Sequence, residues 1–239
     1  MWTRLALTSV FLGLLSACSS GSGASSAGES CSACCGADDG YIALFDGTTL
    51  TGWRNWGSPT ISSGWAVQDG ALARVAEGAG NIVTERQFEN FDLLFEWKVA
   101  PGANSGVFYH VTEAEEKGLI TGPEYQVLDN AGHKDGADPK TSAASNYALH
   151  APVRDATRPV GQWNDGRIIV RGNHVEHWLN GVKVVEYELG SPDWTQRVAA
   201  SKFAQWPSYG TRRKGHIALQ DHGDPVWFRN IKIRELPAQ

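Results

Sequence analysis

Between Tyr41 and Leu236 no apolar period of 3.6 persists over about 11 residues, the span that would announce an amphipathic helix. Short apolar runs punctuated by Gly, Pro, Asn and Asp take its place. Alternation predicts strands over Phe91–Val99, Ser105–Val111, Glu124–Leu128, Arg167–Arg171, Val175–Leu179, Val182–Tyr187, Gly215–Gln220 and Val226–Arg234. Turn signals separate nearly all of them, as an all-β sandwich requires. Asn180-Gly181, between HVEHWL and VKVVEY, is the strongest hairpin signal, because both central residues of a type I′ turn need positive φ. Helix is expected only as single turns, at EAEEKG (113–118) and within Trp194–Ala204. The pattern predicts one antiparallel β-sandwich over residues 41–239.

A chain of 239 residues accommodates such a sandwich as one domain. Its formal net charge of −5 is spread over scattered acids and bases. No cluster of Lys and Arg offers the footprint that nucleic acid demands, so that partner class is set aside. Ten Trp residues supply core, and any left exposed could stack on sugars.

The first residues read as an export signal. Arg4 gives a positive start, Leu5 to Leu15 form an apolar run, and Leu15-Ser16-Ala17-Cys18 follows. The run is too short for a permanent span, which needs roughly 20 apolar residues. The small residue before Cys18 resembles the bacterial lipobox. That resemblance implies a signal peptide over 1–17, lipidation of Cys18 and a cell-envelope lipoprotein; the plain alternative is a secreted chain. Ser19 lacks the Asp of an inner-membrane retention signal, which favours the outer membrane over the periplasmic face of the inner one. Residues 18–40 form a Ser/Gly/Cys-rich tether. Cys31, Cys34 and Cys35 close it, and in an exported chain a local disulfide or a dimer link is the expected use.

Strand phase points to a polar face. In Glu124–Leu128, Tyr125 and Val127 share one side, and Glu124, Gln126 and Leu128 the other. In Gly215–His222, Ile217, Leu219 and Asp221 share one side, and His216, Ala218, Gln220 and His222 the other. Asn104 and Ser105 head the strand GVFYH, where a loop can aim them at the same place. A face bearing a carboxylate, amides and imidazole suits carbohydrate better than plain solvation does.

Seven motifs in order carry a resemblance: LFDGTTLTGW (44–53), WAVQDGAL (65–72), FDLLFEWKVAPGANSGVFYH (91–110), PEYQVLDN (123–130), GQWND (161–165), VEHWLNG (175–181) and GHIALQDHGDPVWFRNIKIREL (215–236). Together they resemble the 3-keto-disaccharide hydrolase family from about Tyr41 to Leu236. The resemblance implies a concanavalin A-like lectin/glucanase jelly roll acting on sugars whose C3 hydroxyl a separate 3-dehydrogenase has oxidised. A C3 ketone acidifies the C2 hydrogen, so a base forms an enediolate, the C1 substituent is eliminated and water adds back. Such a route needs a base, an electrophile for the oxyanion and an acid for the leaving oxygen. It does without the oxocarbenium chemistry of ordinary glycosidases.

Carried over residue by residue, the resemblance makes Glu124 the base or a metal-binding carboxylate. It makes His222 an acid or ligand, since imidazole titrates nearest neutral pH. Asn104, Gln126, Gln220, Trp163 and Glu96 are the expected sugar contacts, Glu96 because it faces opposite Phe95 and Trp97. No motif fixes a cofactor; a divalent ion on Glu124 and His222 would polarise the ketone. Asp129 is out of phase and reads as holding its loop, and His177 reads as packed. Arg229 and Asn230 read as ties between sheet edges. The acids of His133–Asp138 read as a solvated loop before a calcium site. Trp194–Thr211 reads as a loop of this chain's own. Two alternatives stand beside the enzyme: a non-catalytic carbohydrate-binding module on the same fold, and an envelope docking protein.

Overall fold

The computed structural model describes residues 40–113 and 121–238. The signal peptide, Cys18, the tether, Cys31, Cys34, Cys35 and nearly all of the EAEEKG turn lie outside the described residues.

The strands are β1 Ile42–Ala43, β2 Trp53–Asn55, β3 Trp65–Gln68, β4 Ala71–Arg74, β5 Ile82–Thr84, β6 Phe91–Val99, β7 Asn104–Val111, β8 Glu124–Leu128, β9 Asn164–Arg171, β10 His174–Leu179, β11 Val182–Glu188, β12 His216–Leu219 and β13 Val226–Glu235. One sheet runs β11-β10-β9-β6-β13-β4-β3, with β1 paired to β13; the other runs β2-β5-β12-β7-β8. All pairings are antiparallel. At the β10–β11 turn, Asn180 and Gly181 sit at φ 50° and 79°, the positive values that an Asn-Gly hairpin turn needs. The five short strands β1 to β5 carry too little alternation to be seen in the sequence.

The core lies between the sheets. Leu93, Phe95 and Trp97 of β6 and Ile168 and Val170 of β9 join Tyr125 and Val127 of β8 and Ile217 and Leu219 of β12 in one buried cluster. Phe95 meets Tyr125 edge-on at 5.2 Å between ring centres, a favoured aromatic geometry. Leu128, expected on the polar face with Glu124 and Gln126, packs into this core instead.

The outer face of the smaller sheet is not solvated: every residue of β7 and β8 is buried. Segment 143–147 docks along β8, with Ala144 N–H donating to Gln126 O (2.8 Å), Gln126 N–H to Ser145 O (3.2 Å) and Tyr147 N–H to Glu124 O (3.1 Å). This pairing satisfies the edge that β8 would otherwise expose. From β10, the His177 ring donates through Nδ1 to Ala144 O (3.1 Å) and accepts at Nε2 from the Tyr109 hydroxyl (3.0 Å). Burial drives His177 down to about 3, so it serves as a neutral clamp, the packed role expected for it.

A second cover comes from helix α1, Pro192–Ala199, capped by the Ser191 hydroxyl and followed by a 3-10 turn at Lys202–Gln205. The stretch Trp194–Thr211, expected as a loop with at most a single helical turn, thus holds most of an eight-residue α-helix and a 3-10 turn; the Ser191 cap and Pro192 at its start favour the helix. A column of stacked rings fastens it: Phe203 on Tyr209 (3.9 Å), Tyr209 on Trp194 (5.9 Å), Trp194 on Tyr187 (5.4 Å) and Tyr187 on His150 (4.7 Å).

Candidate active site

Between these covers and the smaller sheet a slot of about 90 Å³ remains, lined by Asn104, Glu124, Gln126, Tyr147, Lys202, Gln220 and His222. Strands hold three of these, and Gln220 and His222 follow the end of β12. Glu124 opens β8 opposite Phe108, Gln126 lies opposite Gly106, and Asn104 opens β7. Gln220 N–H donates to Gly106 O (3.0 Å), and the Ser105 hydroxyl donates to Gln220 O (2.8 Å), which brings β12's exit alongside β7. Asp221, one residue on, faces away and is held by Arg74 (2.8 Å) and the Gly80 amide (2.7 Å). Asn104 N–H donates to Asp224 Oδ2 (3.1 Å), tying the loop that carries His222 to the same corner.

Gly106 is what lets the carboxylate cross the sheet. A Cβ built there would lie 2.2 Å from Glu124 Oε1, so any larger residue would push Glu124 out of the slot. A glycine inside a strand is the sequence signal of such a close approach. Tyr147 and Lys202 carry no comparable signal, because tertiary docking of two non-strand segments delivers them.

The slot is rich in unanswered acceptors. Gln126 Nε2 donates to Thr141 O (3.2 Å), which fixes the amide orientation and turns Oε1 inward. Gln126 Oε1, Asn104 Oδ1 and Gln220 Oε1 are all buried with no hydrogen-bond partner among the described residues. Such groups cost about 1–3 kcal/mol each if left dry. Glu124 is 6% exposed. Burial pushes its carboxyl up to about 8; the Lys202 charge pulls it down and Asp135 pushes it up. Burial, Asp135 and Glu124 raise the Tyr147 phenol to about 12. Its hydroxyl donates to Asp135 Oδ2 at 3.4 Å. His222 sits at the mouth, its side chain 45% exposed and Nδ1 3.7 Å from Asp224 Oδ2, with the His133 ring edge-on at 5.9 Å.

Glu96 and Trp163 are elsewhere, and this corrects their expected placement. Both lie on the outer side of the larger sheet. Glu96 accepts from Arg229 (2.7 Å) and Asn230, while the Trp163 ring carries the Arg229 guanidinium at 4.1 Å and the Lys98 ammonium at 5.0 Å. Period-2 phase shows that Glu96 points outward but not from which sheet. Arg229 and Asn230 therefore bind a neighbouring central strand rather than sheet edges. Burial raises Asp129, yet the amides of Gly102, Gly132 and Ala131 hold it below the usual carboxylate range, so it braces its loop.

Hard oxygen donors and one imidazole in the slot match the donor set of a divalent ion. A second grouping, His174, Glu176 and Glu186, has ligand-type atoms within 4.8 Å of one another on the larger sheet. Its acids already receive Lys183 at 3.4 and 2.8 Å. Neither grouping establishes a cofactor.

A family model described as a 3-keto-alpha-glucoside-1,2-lyase-like domain matches residues 40–234. A Bacteroides thetaiotaomicron protein named 3-keto-disaccharide hydrolase is 39% identical over 229 residues, covering 83% of this chain and 79% of the relative. A crystal structure from Parabacteroides distasonis, provisionally named a glycosyl hydrolase, superposes with TM-score 0.78 at 35% identity, covering 83% of this chain and 94% of that one. A second from the same organism gives 0.64 at 32% identity, covering 82% and 99%. These likenesses, over a fold of two antiparallel sheets, place the chain in the 3-keto-disaccharide hydrolase family.

Proposed function

We propose that this protein cleaves the glycosidic bond of 3-keto-glycosides, 3-keto-disaccharides among them, by elimination and rehydration. The observation that carries the proposal is Glu124: a buried carboxyl, without a hydrogen-bond partner among the described residues, facing three unpaired amide oxygens. A buried carboxyl raised to about 8 is a stronger base than an ordinary carboxylate, which suits removal of a C–H proton. The amide oxygens of Asn104, Gln126 and Gln220 accept from sugar hydroxyls, which ends their unpaired state. His222, at the mouth, stands where a leaving oxygen would depart and serves as its acid. The slot, about 90 Å³, is smaller than a hexose, so it takes the C2–C3 edge of the oxidised ring and leaves the aglycone outside.

A divalent ion would be held by Glu124 and His222. Bound there, it would polarise the ketone. Cys18 would anchor the chain to the bacterial envelope through the 18–40 tether, and a sugar 3-dehydrogenase would supply the substrate.

The test is turnover of 3-keto-trehalose and a chromogenic 3-keto-glucoside by wild type and Glu124→Gln, with and without chelator. Loss of about 10²–10⁴-fold in the variant is expected for removal of a general base. A wild type that binds these sugars without turning them over would instead mark a carbohydrate-binding module.

A further inference from the structure

Removing the C2 proton leaves negative charge on the C3 oxygen, and that charge needs a donor in place before the reaction begins. Few slot groups can provide one. The Gln126 amide nitrogen is committed to Thr141 O, and the Tyr147 hydroxyl to Asp135. His222 is at the mouth. The Asn104 and Gln220 amide nitrogens are neutral donors; Lys202 is the one lysine or arginine in the lining, and its charge lowers Glu124 against the upward push of burial.

Its position is built rather than incidental. Lys202 Nζ lies 4.3 Å from the centre of the Tyr147 ring and 5.3 Å from that of Phe203, and it has no ion pair with a carboxylate among the described residues. The adjoining Phe203 is buried and stacked on Tyr209 at 3.9 Å, and its N–H donates to Ser201 Oγ at 3.1 Å. The aromatic column therefore pins the backbone of this 3-10 turn, and the Tyr147 face steers the side chain over the slot.

We infer that Lys202 is a catalytic residue, its ammonium holding the oxyanion that forms on the C3 oxygen as Glu124 takes the C2 proton. This rests on the elimination reading above. The C2–H electron pair becomes the C2=C3 bond and the ketone π pair moves to oxygen beside Lys202. That pair then re-forms C3=O, the C2=C3 pair shifts to C1=C2, and the C1–O bond breaks with the aglycone oxygen taking a proton. Water across C1=C2 completes the hydrolysis, so no oxidant or reductant is needed.

Two measurements on wild type, Lys202→Met and Lys202→Arg test it: kcat and KM with a chromogenic 3-keto-glucoside, and exchange of the C2 hydrogen for solvent deuterium in a 3-keto-1,5-anhydrohexitol. The anhydro sugar has no leaving group, so its exchange reports enolisation alone. Lys202→Met should lose about 10²-fold in both kcat and exchange, the usual effect of deleting an oxyanion donor, with KM nearly unchanged. Lys202→Arg should recover part of both. Near-wild-type kcat and exchange in Lys202→Met, or a loss confined to KM, would overturn the assignment while leaving the elimination reading intact. A wild type inactive in both assays would overturn both.

Discussion

At the scale of single residues, Glu124 sets burial against ionisation. Burial raises its folded-state value to about 8 from an ordinary 4.5. Between those values the folded protein keeps a proton that the unfolded chain has released. The stability tied to that proton is complete below the ordinary value and is lost as pH climbs through about 8. At about 1.4 kcal/mol per unit, the loss amounts to a few kcal/mol. Glu124→Gln, which cannot ionise, should therefore melt progressively above wild type as pH rises and stop gaining beyond that point. Melting curves across pH check this, and a constant offset would contradict it. A variant more stable and less active is the expected signature of a residue kept for chemistry.

Among elements, the β7–β8–β12 surface works because Gly106 leaves room. Gly106→Ala would set a methyl 2.2 Å from Glu124 Oε1, the movable end of a side chain, so the sheet should survive while the carboxylate is displaced. Expected are a melting temperature close to wild type and a fall in kcat of about tenfold or more, in line with the cost of misplacing a catalytic group. Unfolding of the variant, or full activity, would contradict this. The long strands were legible because alternation survives wherever one face is core: Tyr125 and Val127 inward, Glu124 and Gln126 outward. Gln126 and Gln220 were legible for the same reason, while Asn104 at a strand head and His222 in a loop came from the motif resemblance. Glu96 was misplaced because phase does not name the sheet, and Trp163 because a loop ring can turn to either side. Tyr147 and Lys202 were invisible, since segments 139–150 and 192–210 dock through scattered hydrogen bonds and ring stacking that follow no period.

In the molecule as a whole, the two sheets differ in task. The larger one is covered outside by ion pairs and cation–aromatic contacts such as Arg229 on Trp163. On the smaller one, Tyr147 and Lys202 from outside the sheet join the polar strand residues to wall a slot that stays open at His222. A flat polar face binds sugar; a slot holding a buried carboxyl with no hydrogen-bond partner among the described residues, lined also by a lysine, can move a proton. The central claim is that this carboxyl is the base. The most direct measurement is kcat/KM for 3-keto-trehalose against pH in wild type and Glu124→Gln. Because a base acts only when deprotonated, wild type should rise with pH and level off above about 8. Glu124→Gln should lie about 10²–10⁴-fold lower and lack that limb. A wild-type profile flat through this range, or a variant that keeps the wild-type rate and limb, would contradict the account.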